Sequence, residues 1–189
     1  MADEQKIRPA TPADAAELLE IYTPYVRDTA ISFELEPPTE EEFARRIKVI
    51  LERYPYIVAE KNGSIAAYAY ASAFKERAAY DTSVEMSIYV RKEFRGHGFG
   101  KLLYTELERI LRLQNVQNVN ACIAYTDDEN DPYLTNGSTR FHERMGYAPV
   151  GRFHKCAAKF GRWYDMVWME KFIGSHETPP PRFKKKSEL

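Results

Sequence analysis

Apolar positions recur along this chain with two periods, close to 3.6 and to 2, and their alternation predicts a mixed order of helices and strands. Residues 6–9 form at most a short edge strand after a polar, loose start over residues 1–5. Thr11 then stands as an N-cap, with Pro12 at the first helical position and Asp14 in the first turn. Ala15, Leu18, Leu19 and Tyr22 follow at helical spacing, and Pro24 should kink or end this helix because proline lacks the N–H its turn requires. Residues 30–35 read as a short extended segment closed by Pro37 and Pro38. A second helix begins at Thr39, where Glu42 completes a capping box, and buries Phe43, Ile47, Ile50 and Leu51.

Strands come next. Residues 56–60 and 65–74 flank Lys61-Asn62-Gly63-Ser64, and Asn-Gly is the strongest short hairpin signal. Residues 83–90 alternate strictly, with Val84, Met86, Ile88 and Val90 on one face and Glu85, Ser87 and Tyr89 on the other. A glycine-rich loop over 95–100 leads into a helix carrying Leu103, Leu107, Ile110 and Leu111. Residues 119–124 are a further strand, with Cys122 packed in its interior. An acidic loop over 125–136 precedes a short helix over 137–145, capped by Gly146. Strands over 148–154 and 163–172 close the pattern, joined through Phe160-Gly161. Hairpin-linked strands among helices predict an α/β (α+β) fold with a mixed, mostly antiparallel sheet flanked by helices. Residues 1–174 form one domain, and the Pro- and Lys-rich residues 175–189 read as a flexible tail.

Composition narrows the function. The 189 residues carry 27 Lys+Arg against 28 Asp+Glu, a net charge of −1, so body-wide attraction to nucleic acid or to an anionic membrane is not expected. The longest nearly unbroken apolar run, 65–74, is half a membrane span, and no secretory signal opens the chain. Cys122 and Cys156 read as reduced thiols of a cytoplasmic protein. The four histidines and two cysteines show no paired ligand spacing, so no metal is expected.

The segment Arg95-Gly96-His97-Gly98-Phe99-Gly100-Lys101 carries the first chemistry. Bare backbone N–H groups at a helix N-terminus, backed by the helix dipole, form an anion site suited to phosphates. Two familiar phosphate motifs do not fit. The glycines are spaced G-x-G-x-G instead of G-x-G-x-x-G, and Arg95 and Leu102 stand where a Walker A loop needs Gly and Ser or Thr. The bland alternative is a turn that only connects strand to helix. The Arg-x-x-Gly-x-Gly arrangement of Arg95, Gly98 and Gly100 resembles the loop that holds the coenzyme A pyrophosphate in the GNAT superfamily of N-acetyltransferases. The strand ending Ile88-Tyr89-Val90 resembles the one that receives the pantetheine and acetyl carbonyl there.

The likeness extends to Asn62-Gly63, Phe74–Asp81, Glu85–Val90, Arg140–Tyr147 and Lys159-Phe160-Gly161-Arg162-Trp163-Tyr164-Asp165. All of these resemble the phosphinothricin and methionine-sulfoximine acetyltransferases, over roughly residues 7–172. The resemblance implies acetyl transfer from acetyl-CoA to the amino group of a small amino acid or analogue, in a homodimer. It implies Glu85 as base, with a rival reading as a charge on a solvated strand face. His142 stands where many GNAT enzymes place the tyrosine that protonates the leaving thiolate; its rival reading is a structural histidine bonded to a carbonyl. Which of the two takes the amine proton is left open. Coenzyme contacts are expected from Ile88, Tyr89, Val90, Arg95, Gly96, His97, Gly98, Phe99, Gly100, Lys101, Asn136 and Ser138. The oxyanion donors are expected where the strand bulges near Tyr89 and Val90. Phe33, Lys75, Arg77 and Tyr80 are expected to bind substrate, Arg77 as a fork for a carboxylate or phosphinate.

The loop over 125–137 departs from the herbicide-resistance members: it is longer, acidic at Asp127, Asp128, Glu129 and Asp131, and places Asn136 one residue off. Neither the EF-hand spacing nor its central glycine is present, so the loop reads as solvated. A cationic substrate would be helped by these acids. Acetylation of a polyamine or a protein N-terminus is therefore an alternative, and a CoA-binding regulatory domain without turnover is another.

Overall fold

Element boundaries in the computed structural model follow the local chemistry closely over the residues it describes, 5–189. The loose start expected over 1–5 lies outside them except for Gln5, which already belongs to β1 (Gln5–Pro9). A 3₁₀ turn, Pro12–Asp14, opens helix α1 (Ala15–Arg27), and the Thr11 amide donates to the Asp14 carboxylate at 2.7 Å. Pro24 does not end this helix. It sits in the last turn, the chain runs on to Arg27, and the Pro24 carbonyl still accepts from the Asp28 amide at 3.0 Å. Helix α2 (Glu40–Leu51) starts where Thr39 accepts from the Glu42 amide at 3.2 Å, while the Glu42 carboxylate turns to Arg45 and Arg46.

The contacts divide the chain into two compact units. The first holds residues up to Ile21, 38–119 and 172–189. Its strands β1, β2 (Tyr56–Lys61), β3 (Ser64–Ala73) and β4 (Ser83–Val90) lie side by side in that order, each antiparallel to the next. Asn62 (φ 52°) and Gly63 (φ 84°) make the two-residue β2–β3 turn, whose positive φ values match the twist of the strands. Helix α3 (Phe99–Leu113) packs on β2, β3 and β4 through Phe99, Leu103, Leu107 and Leu111, all buried.

The end of the chain corrects an expectation. Residues 175–189, read as a flexible tail, return to the first unit. Phe183 is 8% exposed, its ring 5.6 Å from that of Tyr54 and under the Arg53 guanidinium. Gln114 donates to the Lys184 carbonyl at 3.0 Å and accepts the Lys184 amide on its own carbonyl at 2.9 Å. Asn115 donates to the Arg182 carbonyl at 2.7 Å. One aromatic anchor and three backbone bonds offset the entropy of ordering the segment. Phe183→Ala is expected to cost about 3 kcal/mol, the low end for a phenylalanine emptied from a packed site. Denaturant unfolding reads this, and an unchanged midpoint would show that the segment is not docked in solution.

The second unit holds residues 22–37 and 120–171. It contains most of β5 (Asn118–Tyr125), helix α4 (Gly137–Arg144), β6 (Ala148–Lys159) and β7 (Arg162–Phe172), with strand order β5-β7-β6. Strand β6 runs five residues beyond the expected end. A bulge between Phe153 and Ala157 interrupts its alternation, with Lys155 at φ 49° and its amide on Asp165 at 2.6 Å. Phe160 (φ 52°) and Gly161 (φ 70°) close the β6–β7 hairpin. Residues 30–35 form bends instead of an extended segment. Cys122 is exposed, since the alternation of β5 gives the buried face to Ala121 and Ile123.

Candidate active site

The predicted site residues divide between the units. The first contains Glu85, Lys75, Arg77, Tyr80, residues 88–90 and the glycine turn; the second contains Phe33, Asn136, Ser138 and His142.

Glu85 occupies the half-buried side of β4, between the buried Val84 and Met86. Burial raises its pKa above the ordinary carboxylate value, while the nearby Lys75 ammonium partly offsets this. Tyr104 is fully buried against the same strand, its hydroxyl donating to the Met86 carbonyl at 3.4 Å. Its pKa is pushed well up by burial and further by the charges of Tyr70, Glu85 and Glu108. Arg77 is exposed at the start of the 3₁₀ turn Ala78–Tyr80 and makes no ion pair among the described residues. Tyr80 packs edge-on to Phe74, with ring centroids 6.0 Å apart. Lys75 and Arg77 thus place two cations on the segment after β3, on the unit that carries Glu85, with Glu76 between them and Asp81 paired with Arg53.

Residues 88–90 pair with β3 without a register break, from Ala67↔Val90 to Ala73↔Val84. The bulge expected near Tyr89 and Val90 is absent from this pairing. The glycine turn forms as the sequence requires. After the 3₁₀ turn Lys92–Phe94, Gly96 and Gly98 adopt φ 80° and 86°, and Gly98 is the N-cap of α3. The buried Phe99 anchors the helix start, and Gly100 lies in its first turn. No side chain caps the helix, so its leading amides are turned to solvent or ligand. Arg95, His97 and Lys101 are exposed around them, His97 bonded through Nδ1 to the Arg95 carbonyl at 3.0 Å. A cavity of about 430 Å³ opens here, lined by His97, Gly98, Lys101, Leu102, Thr105 and Glu106 with Gln5 and Ile7; the Glu106 carboxylate is paired with Arg109. Amide donors, helix dipole and two cations together make an arrangement chemically suited to an anion.

In the second unit His142 is 3% exposed on α4, between Phe141 and Tyr147. Its Nδ1 lies 2.8 Å from the Ser138 carbonyl, which can only accept, so the proton resides on Nδ1. Burial drives the imidazole pKa down to about 4, against the pull of that bond. At neutral pH the ring is uncharged and presents Nε2 as an acceptor, a poor state for the expected thiolate acid.

Asn136 is a second correction. Its side-chain amide donates to the Thr126 carbonyl at 2.8 Å and accepts the Thr126 amide at 3.3 Å, closing the loop instead of facing outward. Ser138 is half-buried, with its carbonyl taken by His142.

The sequence reading missed what the acidic loop does. Arg152, its guanidinium over the Tyr125 ring, pairs with both Asp127 and Asp165. Arg162 reaches Asp128 and Asp131, each at 3.3 Å. Asp131 is buried and accepts the Tyr133 and Leu134 amides at 2.8 and 2.9 Å and the Tyr164 hydroxyl at 3.3 Å. Three of the four acids are therefore used in tying the loop to the β6–β7 hairpin. The signal was present as Arg152 and as Arg162 inside the 159–165 motif, but only folding brings them to the loop.

An N-acetyltransferase of the GNAT class accounts for a strand-borne, half-buried glutamate followed by an uncapped glycine turn. The acetyltransferase (GNAT) domain model matches residues 7–168, and the chain belongs to that family, as an acetyl-CoA-dependent N-acetyltransferase of the phosphinothricin and methionine sulfoximine type. It is 37% identical to a phosphinothricin N-acetyltransferase of Streptomyces viridochromogenes, over 94% of this chain and 91% of that protein. It is 28% identical to an L-methionine sulfoximine/L-methionine sulfone acetyltransferase of Salmonella typhimurium, over 92% and 97% of the two chains. A GNAT phosphinothricin acetyltransferase of Sinorhizobium meliloti, solved in complex with AcCoA, superposes with a TM-score of 0.84 at 34% identity, over 94% and 93% of the chains. Among the described residues no cluster of three or more His, Cys, Asp or Glu is placed to hold a metal ion, and no helix is long and apolar enough to cross a membrane.

Proposed function

We propose that this chain acetylates the α-amino group of a small, carboxylate-bearing amino acid or analogue, with acetyl-CoA as donor. The observation that carries this choice of substrate is the unpaired Arg77 beside Lys75, on the unit that holds Glu85, set against an acidic loop in which three of the four carboxylates are already ion-paired with Arg152 or Arg162. A substrate anion finds a partner there, whereas a polyamine must compete with these arginines for the carboxylates.

The roles follow. The amine is mostly protonated at neutral pH and must lose a proton before attacking the thioester carbon. Glu85, its pKa raised by burial, accepts that proton directly or through a water. Attack forms a tetrahedral intermediate with an oxyanion and a cationic nitrogen; its collapse expels the coenzyme thiolate, and the proton released from that nitrogen converts the thiolate to the thiol and leaves the neutral amide. The α3 turn from Arg95 to Lys101 holds the pyrophosphate, and Arg77 and Tyr80 grip the substrate carboxylate or phosphinate. His142, neutral and donating Nδ1–H to the Ser138 carbonyl, is assigned to hold α4 in place, and thiolate protonation is not given to it.

Release of coenzyme thiol across amino acids, their sulfoximine and sulfone analogues, phosphinothricin and polyamines tests this reading. Turnover with the first three groups and none with polyamines is expected; the reverse order would refute it.

Two finer points belong to the same proposal. Cys122 and Cys156 are surface thiols, which supports a reducing cytoplasmic setting. Val150, Phe153 and Trp163 are 59%, 57% and 66% exposed on the β6–β7 hairpin, and such a surface fits the isologous face of a homodimer. Sedimentation is expected to give twice the 21.9 kDa chain mass, falling to the monomer in Phe153→Asp. A monomeric wild type would remove the dimer.

A further inference from the structure

Arg91 is used by nothing in the mechanism above, yet it stands where β4 ends and the chain turns toward the glycines that open α3. Pairing with β3 runs as far as Ala67↔Val90, and the Arg91 amide carries it one residue on by donating to the Ala66 carbonyl at 2.9 Å. Ile65 therefore has no β4 residue opposite it, although it is 1% exposed and its main chain must still be bonded. Two side chains take the missing strand's place. The Ile65 amide donates to the Glu17 carboxylate of α1 at 2.6 Å, and the Ile65 carbonyl accepts from Arg91 Nε at 3.1 Å. The same guanidinium lies 3.6 Å from Glu17 and 3.5 Å from Glu20. All of these residues belong to the first unit.

The Arg91 carbonyl opens the series of turns that follows. It accepts the Phe94 amide at 2.9 Å, the Lys92 carbonyl accepts the Arg95 amide at 3.3 Å, and the Phe94 carbonyl accepts the His97 amide at 3.4 Å. Gly98 comes next, as the N-cap of α3. Phe94 holds the far end of this series, edge-on to the buried Phe99 at 5.7 Å between centroids and with the Lys61 ammonium 5.8 Å from its own centroid. The Arg91 side chain holds the near end. Gly96 and Gly98 have no side chains with which to brace the turn themselves, so its backbone depends on these two anchors. A bond from a guanidinium to a carbonyl is about twice as strong as a neutral one.

We infer that Arg91 is a positioning residue for the coenzyme: by locking the end of β4 to Ile65 and α1 it fixes the leading amides of the glycine turn, and thereby sets the affinity for acetyl-CoA. This rests on the reading that the turn from Arg95 to Lys101 holds the pyrophosphate. Without the guanidinium the Ile65 carbonyl loses this donor, and the turn is free to pivot on Phe94. Amides that must be brought back into line during binding cost affinity, because a preorganised site spends less on ordering. Arg91 acts by geometry and not by its charge on the phosphates, since Glu17 and Glu20 already face that charge.

Calorimetric titration with acetyl-CoA and steady-state kinetics of Arg91→Met, Glu17→Met and Gly98→Asp test this. Arg91→Met is expected to raise the acetyl-CoA Kd about tenfold, with kcat at saturating substrates and the amine KM within about twofold of wild type. Glu17→Met should raise the same Kd about threefold, because it cuts the brace from its other side. A direct charge effect predicts the opposite sign, since a carboxylate is removed from the neighbourhood of an anion. Unchanged or tighter binding in Glu17→Met therefore overturns the positioning role and leaves Arg91 as a plain cation. If Gly98→Asp binds acetyl-CoA as wild type does, the pyrophosphate reading fails and the proposal falls with it. If Gly98→Asp loses binding and Arg91→Met does not, the turn keeps its role and the Arg91 proposal is overturned. An equal loss in kcat and both KM values in Arg91→Met likewise overturns it, as the mark of a purely structural role. Should Arg91→Met not fold, Arg91→Gln, which keeps a donor on a shorter arm, is read in the same way, and a folded Arg91→Gln with the wild-type Kd rejects the proposal.

Discussion

Glu85→Gln is expected to lower kcat by about 100-fold or more while leaving acetyl-CoA binding intact, because a positioned base contributes on that order and the amide cannot take the proton. The substitution is nearly isosteric on a half-buried strand position, so folding should be retained. The sign of the pH dependence follows from the environment. Burial lifts the Glu85 pKa, and only its deprotonated form can act as base. At saturating amine, kcat should therefore rise with pH through a limb placed above the ordinary carboxylate range. In Glu85→Gln that limb should vanish, while the limb set by the substrate amine remains in kcat/KM. Wild-type turnover in the variant would transfer the role to another group. His142, an uncharged acceptor at neutral pH with its pKa near 4, would be the first to examine.

What could be read ahead of the structure was local, and what could not was mostly tertiary. The strict alternation over Ser83–Val90 placed Glu85 opposite Val84 and Met86 before any coordinates, because a period of two is a property of the backbone alone. The Asn62-Gly63 turn and the Gly98 helix entry were legible for the same reason, since both need positive φ. Pro24 misled because it removes one i→i−4 bond, to the Glu20 carbonyl, without preventing the three residues after it from keeping helical dihedrals. Strand β6 was cut short because the bulge at Lys155 breaks the alternation a reader relies on. The C-terminal segment was judged by its prolines and lysines, yet its fate hangs on Phe183, a single side chain that composition averages away. The acidic loop was the largest functional misreading. Asp127, Asp128 and Asp131 meet Arg152 and Arg162 across 25, 34 and 31 residues of sequence, so their charges looked unpaired when they are partly offset. Asn136 likewise spends both ends of its amide on Thr126, ten residues earlier.

Gly98→Asp is expected to abolish the thermal protection conferred by acetyl-CoA while lowering the Tm of the coenzyme-free protein only modestly. A folded variant with a small loss of Tm and no response to coenzyme separates ligand loss from misfolding. An added Cβ at Gly98 meets nothing within 4 Å, and the φ of 86° strains aspartate by about 1–2 kcal/mol, less than it strains most other residues. Gly98 is also the N-cap of α3, which no side chain now caps, so a carboxylate there interacts favourably with the helix dipole in the coenzyme-free protein. The same charge faces the pyrophosphate when coenzyme binds, and like charges brought together cost several kcal/mol. A ligand at 100 times its Kd stabilises by about 2.7 kcal/mol, so a rise in Kd of about 100-fold removes nearly all of that shift. Gly98→Asn is the matched control: it tolerates the same backbone angle, adds no charge, and should keep a larger share of the protection. If acetyl-CoA still raises the Tm of Gly98→Asp as it does in wild type, the phosphates are not held at this turn, and the uncapped amides of α3 must serve something else.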